Sequence, residues 1–307
     1  MKPAAPDGTE PDRVAKSRLT RRRFVIAGAG VLGVSAAATA AYAGAVEPSE
    51  LIVTRYAPNP PGWPAGRKLT VTVVADLHAG GPDMTLPRVR YMVDAAQALQ
   101  ADLIVLLGDF KAWYRYFKSE PVADPLWAAE LARLKAPLGI WAILGNHDWW
   151  HDLDGVRSAL AQVRIPVLEN RAVLLGEAGR RFWLAGLGDQ LAYRLGPGEF
   201  RGVDDLPGTL AQINTDDPVL LLAHEPDIFP DVPARVALTL AGHTHGGQIR
   251  VPLLWPSYVP SRYGARYAYG HVVEDGRHLI VSGGLGTSII PARLGVPPEI
   301  VHVTLGA

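Results

Sequence analysis

Eight apolar, β-branched runs of strand length recur along this chain of 307 residues, at 69–75, 103–107, 140–144, 182–187, 219–223, 236–241, 279–282 and 300–305. Segments with helical period separate the early ones, at 86–99, 125–134 and 156–163. Alternation of this kind implies an α/β fold with buried, largely parallel strands covered by helices. After Leu210 helical stretches become few and Gly and Pro turns divide short strands, so antiparallel pairing is expected there. There is no internal repeat and no composition break after residue 50. One domain over residues 46–307 is therefore expected.

The apolar runs share a second property: polar residues follow them. The first runs into Asp76-Leu77-His78, the second into Gly108-Asp109, and the third into Gly145-Asn146-His147-Asp148. Run 219–223 leads to His224, and run 236–241 to Gly242-His243-Thr244-His245-Gly246-Gly247. In open α/β sheets ligands gather beyond the carboxyl ends of the strands, so these residues are expected to meet at one edge. A lone His or Asp at a strand end is ordinarily a cap or turn residue. Seven oxygen and imidazole donors together, with glycines where backbone must approach closely, are the donor set of a borderline metal such as Mn, Fe, Zn or Ni. Seven also exceed the three or four that one catalytic ion uses, which suggests two divalent ions sharing a carboxylate.

Composition narrows the chemistry. With no Cys there is no disulfide framework, thiolate zinc site or thiol nucleophile, and any metal sits on His, Asn and carboxylates. Lys+Arg 30 balances Asp+Glu 30, which gives no electrostatic case for a nucleic-acid partner.

The first 45 residues read as an address. Residues 1–23 are polar and mostly basic, and 24–46 are uncharged and rich in small residues. The junction Thr20-Arg21-Arg22-Arg23-Phe24-Val25-Ile26 resembles a twin-arginine export signal, and Ala41-Tyr42-Ala43 supplies a small-x-small cleavage site. This implies the twin-arginine translocase as a partner and a location in the periplasm or on the outer face of the bacterial inner membrane. The alternative is an uncleaved N-terminal anchor, since residues 24–46 are just long enough to span a bilayer. Loss of residues 1–43 removes seven basic and three acidic residues, leaving 23 Lys+Arg against 27 Asp+Glu, a formal charge of −4.

The blocks DLH, GD, GNHD, a lone H and GHTH, in this order over residues 76–245, resemble the calcineurin-like metallophosphoesterase family. The stretches HEPD (224–227), GHTHGGQ (242–248), GLGTS (284–288) and PPEI (297–300) are similar to an exported or membrane-associated bacterial branch of it. The resemblance implies a four-layer α-β-β-α sandwich of two mixed sheets with a dinuclear site at the strand ends. Asp76, His78 and His245 would hold one metal, Asn146, His224 and His243 the other, and Asp109 would bridge them. A bridging hydroxide would attack phosphorus, and His147 would protonate the leaving group. The position three residues after Asp109, where related protein phosphatases carry the Asp that orients this histidine, is Ala112. Asp148, or another carboxylate, is left to orient His147, and a protein phosphatase is disfavoured.

The reaction class implied is hydrolysis of a small phosphodiester or phosphomonoester in the cell envelope, the substrate being lipid- or cell-wall-linked. One alternative is a UDP-2,3-diacylglucosamine pyrophosphohydrolase-like enzyme of lipid A synthesis, whose cytoplasmic site conflicts with an export signal. Another is a non-catalytic scaffold, against which the seven intact donors count. Trp113, Tyr114, Tyr116, Phe117, Trp149 and Trp150 crowd the loops after Asp109 and Asp148, either as a substrate wall or as ordinary packing. Arg115, Lys118 and Arg262 are candidates for a second phosphate or for plain solvated charge. His151, His271, His278 and His302 fall outside the blocks and receive no role.

Overall fold

The computed structural model describes residues 1, 35–115, 117, 120–251 and 259–307. The twin-arginine segment, Tyr116 and Lys118 lie outside the described residues. The chain divides into two compact units, Met1–Ala41 and Tyr42–Ala307. In the first, residues 35–41 are helical. Among the described residues no helix is long and apolar enough to cross a membrane.

The second unit carries two large sheets, beside two small two-stranded ones. The first contains β1 (Ile52–Tyr56), β2 (Leu69–Val74), β3 (Leu103–Leu106) and β4 (Ile140–Ala142). The second contains β5 (Arg171–Leu175), β6 (Phe182–Gly186), β7 (Val219–Leu222), β8 (Leu238–Ala241), β9 (Gly270–Glu274) and β10 (Arg277–Val281). The last strand, β11 (Glu299–Leu305), returns to the first sheet, giving the order β1-β11-β2-β3-β4. The other order is β9-β10-β8-β7-β6-β5. Both sheets are mixed. In the first, β11 runs antiparallel to β2 while the remaining pairs are parallel. In the second, only the edge strands β5 and β9 pair antiparallel.

Side-chain alternation along the central strands separates the layers. Val71, Val73, Leu103 and Val105 meet Leu184, Leu220, Leu222, Leu238, Leu240 and Ile280 in a core between the sheets. Ile104 and Leu106 point the other way, onto helices α1 (Leu86–Ala98), α2 (Asp124–Leu131) and, beyond the single turn α3 (Asn146–His151), α4 (Leu153–Gln162). The outer face of the second sheet packs Val219, Leu221, Leu279 and Val281 against Phe229, Tyr267 and the short helix α5 (Leu206–Leu210). Strands buried on both faces need apolar residues at every position, which is why they stand out as unbroken runs.

The expected strands and helices are present, with the α-β-β-α layering, the fourth layer being mostly 3₁₀ turns at Pro226–Asp231 and Gly264–Tyr267. The antiparallel expectation for the later half is corrected: β6, β7, β8 and β10 run parallel. Their crossovers are loops and 3₁₀ turns rather than long helices, so the helical period that marks parallel units in the first half is missing. Three strands absent from the apolar runs, β1, β5 and β9, are sheet edges whose residues alternate in exposure.

Candidate metal centre

Each of the seven candidate donors leaves a strand end in the direction the sequence implies, and all seven are buried. Asp76 and His78 follow β2, Asp109 follows β3, Asn146 opens α3 beyond β4, His224 follows β7, and His243 and His245 follow β8. Asp76, His78, Asp109, His243 and His245 have φ of 52°, 43°, 55°, 69° and 50°. These left-handed conformations are costly for residues with a Cβ, and they turn each side chain back over the sheet edge. The neighbouring glycines make room: a Cβ on Gly145 would lie 2.4 Å from Asp109 Oδ1 and 2.6 Å from the His224 ring.

Asp109 stands at the centre. Its Oδ2 is 3.5 Å from His78 Nε2 and 3.3 Å from His224 Nε2, and its Oδ1 accepts the backbone N–H of His147 at 2.8 Å. On one side the Nε2 atoms of His78 and His245 face each other at 3.1 Å, and His245 Nε2 is 3.6 Å from Asp76 Oδ1. On the other, His243 Nδ1 is 2.8 Å from Asn146 Oδ1, and its ring lies 5.2 Å from that of His224. Two groups draw on these donors alone, Asp76–His78–His245 and Asp76–Asp109–His224, and a third, His78–Asp109–His147, adds His147, each with its ligand atoms within 4.8 Å of one another.

The surroundings aim the imidazoles. His78 Nδ1 is 3.0 Å from the Lys111 carbonyl and His224 Nδ1 is 2.6 Å from that of Leu107, so in each ring Nε2 points inward. His224 Nε2 is buried with no hydrogen-bond partner, a donor atom directed at an electrophile. Burial pushes Asp76 up and His245 down. For Asp109, burial, which raises, is outweighed by His224, His147 and His78, which hold it well below the carboxylate range. His224 is held well above its ordinary value because Asp109 outweighs the effect of burial. Buried oxygen and nitrogen donors at mutual distances near 3 Å, His224 Nε2 among them with no hydrogen bond of its own, fit divalent cations.

His147 lies against this cluster. Its ring is edge-on to His78 at 4.8 Å, its Nε2 is 3.2 Å from Ser288 Oγ, and its Nδ1 is buried and unpartnered. Burial drives it well below its ordinary pKa. The expectation that Asp148 orients His147 is corrected. The Asp148 carboxylate accepts the backbone N–H groups of Asp109 at 2.9 Å, Phe110 at 2.8 Å and Gly145 at 3.0 Å, and no hydrogen bond joins it to the imidazole, whose Nε2 meets Ser288 and whose Nδ1 is unpartnered. Burial and the charge of Asp109 raise Asp148 to about 7, against the pull of the Gly145 and Phe110 N–H groups.

The aromatic residues divide. Trp150 lies 5.4 Å from the His147 ring, and Trp113 stacks on His151 at 5.4 Å, so both border the centre. Tyr114 is instead a buried brace whose hydroxyl contacts Asp83 and Thr287, and Trp149 packs edge-on against Tyr193. Phe117 is exposed. Arg262 is tied to Asp227 through its backbone N–H and guanidinium and is not a free phosphate ligand. His271 and His278 contact each other at 3.0 Å on the β9–β10 hairpin, and His302 contacts Thr72.

Sequence reasoning missed Ser288, because one hydroxyl in a Gly-rich turn carries no signal of its own. It also missed Arg293, fully buried, whose guanidinium donates to the carbonyls of Gly283, Gly286 and Val296 and comes within 3.4 Å of His245 Nδ1.

Fold and site together define a metallophosphoesterase. The family model for calcineurin-like phosphoesterases matches residues 69–247, and the chain belongs to that family. It is 32% identical to an uncharacterized metallophosphoesterase of Aquifex aeolicus over 256 residues, 83% of this chain and 92% of that protein. It is 30% identical to the uncharacterized metallophosphoesterase YkuE of Bacillus subtilis over 299 residues, 94% of this chain and 98% of that one. With phosphodiesterase YaeI of Escherichia coli it shares 33% identity over 210 residues, 66% of this chain and 70% of that one. The protein is a metal-dependent phosphoester hydrolase.

Proposed function

We propose that the protein hydrolyses phosphodiesters in the cell envelope, with two divalent ions held by seven side chains. Asp76, His78 and His245 are assigned to one ion, Asn146, His224 and His243 to the other, and Asp109 to both. The observation that carries this reading is the position of Asp109 Oδ2, within 3.5 Å of donors on both sides of a fully buried cluster. When bound, two such ions supply Lewis acidity to the phosphoryl oxygens and acidify a water. The chain does the rest. Its left-handed strand ends fix the donors before substrate arrives, and the burial of the centre limits access of bulk water. His147, carried on the turn that presents Asn146, is the proton donor to the departing alkoxide once the charge of a bound phosphate raises its burial-depressed pKa, with Ser288 Oγ setting the direction of its Nε2. The similarity to phosphodiesterase YaeI supports diesters over monoesters, and the signal-like residues 20–26 support an envelope location.

The test strips the full-length protein with a chelator and adds back Mn, Fe, Zn or Ni, then follows bis-p-nitrophenyl phosphate and p-nitrophenyl phosphate in parallel. Restoration of the diester reaction by one of these metals is expected. Two bound ions with neither ester hydrolysed would count against it, and turnover of the monoester alone would replace diesters by phosphomonoesters. For the location, cell fractionation of the intact chain beside a variant with Arg21, Arg22 and Arg23 changed to Lys is expected to find only the former outside the cytoplasm.

A further inference from the structure

A cavity of about 620 Å³ opens beside the centre, running from His243 to Trp150, whose ring is 5.4 Å from that of His147. One end therefore touches a residue assigned to the second ion and the other a tryptophan beside the proton donor. A group bonded to the phosphorus and lying in this cavity occupies the place of an ester alcohol.

The two sides of the cavity differ. One is aromatic: Trp150 and Phe200 stack at 5.6 Å and 20°, and the guanidinium of Arg194 covers Trp150 at 3.5 Å. The other is acidic, formed by Asp204, Glu225 and Asp227, with Asp189 buried behind Glu225. Glu225 is 2% exposed, and its Oε1 has no hydrogen-bond partner; the Gln190 Oε1 on the same wall has none either. A Glu225 carboxylate oxygen also lies within 4.8 Å of ring nitrogens of both His224 and His243, so this acidic wall reaches the metal centre itself. The cation on the wall, Arg262, is engaged by Asp227. Three carboxylates, Asp204, Glu225 and Asp227, with Asp189 behind them, face two guanidinium groups, Arg262 and the Arg194 that covers Trp150. The free polar atoms are acceptors, so the group that complements them is a donor or a cation, while a second phosphate would meet repulsion.

We propose that this cavity selects phosphodiesters whose alcohol carries a positively charged nitrogen, the ammonium facing Glu225 and Asp204 and its alkyl groups resting on Phe200 and the edge of Trp150. A cation between carboxylates and an aromatic face gains from both, and loses that gain when the charge is removed at constant shape. The inference rests on the phosphodiesterase reading.

The test compares the metal-loaded full-length enzyme on p-nitrophenyl phosphorylcholine, on its neutral carbon isostere p-nitrophenyl 3,3-dimethylbutyl phosphate, and on bis-p-nitrophenyl phosphate. The expected result is a kcat/KM at least about tenfold higher for the choline ester than for the isostere. Asp204→Asn is expected to reduce that ratio to about threefold or less, and Phe200→Ala, at an exposed position that tolerates truncation, to lower it as well. A wild-type ratio near one, with bis-p-nitrophenyl phosphate still hydrolysed, overturns the cationic subsite and leaves the phosphodiesterase reading standing. Failure to hydrolyse any of the three diesters removes both.

Discussion

The Asp148 carboxylate accepts the backbone N–H of Asp109 at 2.9 Å and thereby fastens the loop after β3 to the turn that presents Asn146 and His147. With Phe110 and Gly145 also donating to it, one buried side chain sets the spacing of two ligand-bearing loops. Asp148→Asn places an amide N–H₂ among N–H donors. Metal affinity is expected to fall about 10- to 100-fold, the range seen when support behind a ligand is lost. Metal titration monitored by restored activity measures this, and unchanged affinity refutes the bracing role.

Asp109→Ala removes the carboxylate that faces both halves of the cluster. Bound metal, counted by elemental analysis, and phosphoesterase activity are expected to disappear together, and likewise for His243→Ala. Turnover by a metal-free Asp109→Ala protein would sink the mechanism.

His147→Ala is expected to retain both ions and to lose about 10²- to 10⁴-fold in kcat on alkyl esters, the usual contribution of a general acid. On p-nitrophenyl esters, whose leaving group needs no proton, the loss is expected to be far smaller. Equal losses on both ester types would assign His147 to structure alone.

Arg293 supports the turn beneath His245 from a fully buried position, with its pKa lowered to about 10 by burial, so it stays charged at neutral pH. Arg293→Met leaves the carbonyls of Gly283, Gly286 and Val296 without their donor. A destabilisation of about 3–5 kcal/mol is expected by thermal or denaturant unfolding. A loss below about 1 kcal/mol would show that the turn holds itself.

Glu130 on α2 accepts from Arg90 and Arg133, and the Arg90 hydrogen bond is the main reason its pKa is depressed. A depressed carboxylate contributes stability that is present above its unfolded value of 4.5 and is lost as pH falls through its folded value. The gap in Tm between wild type and Glu130→Gln is therefore expected to be small but constant from pH 7 to 5 and to close on further acidification. A gap that persists at pH 3 would assign the effect to packing.

The polar residues at the strand ends were legible because strand direction dictates where a chain's next residue goes. Asp76, Asp109, His224 and His243 each follow an apolar run, and parallel strands deliver such ends to one edge of their own sheet, the two edges meeting at the centre. The edge strands β1 and β5 were not legible, since half of their residues face solvent and their alternation is too short to stand out. The same limit applies to Ser288 and Arg293, which lie in the turns after β10 and gain meaning only from what packs on them.

Local sequence thus determined the strand ends, the donor types and the reaction class, because each depends on residue order within a few positions. Tertiary structure decided that Asp148 grips backbone rather than His147, that Tyr114 braces while Trp150 borders the centre, and that Asp189, Asp204 and Glu225 gather on one wall. Most of those relations join residues far apart in the chain, 39 positions for Asp109 and Asp148 and 173 for Tyr114 and Thr287, and only the packing of the two sheets and their loops sets such distances.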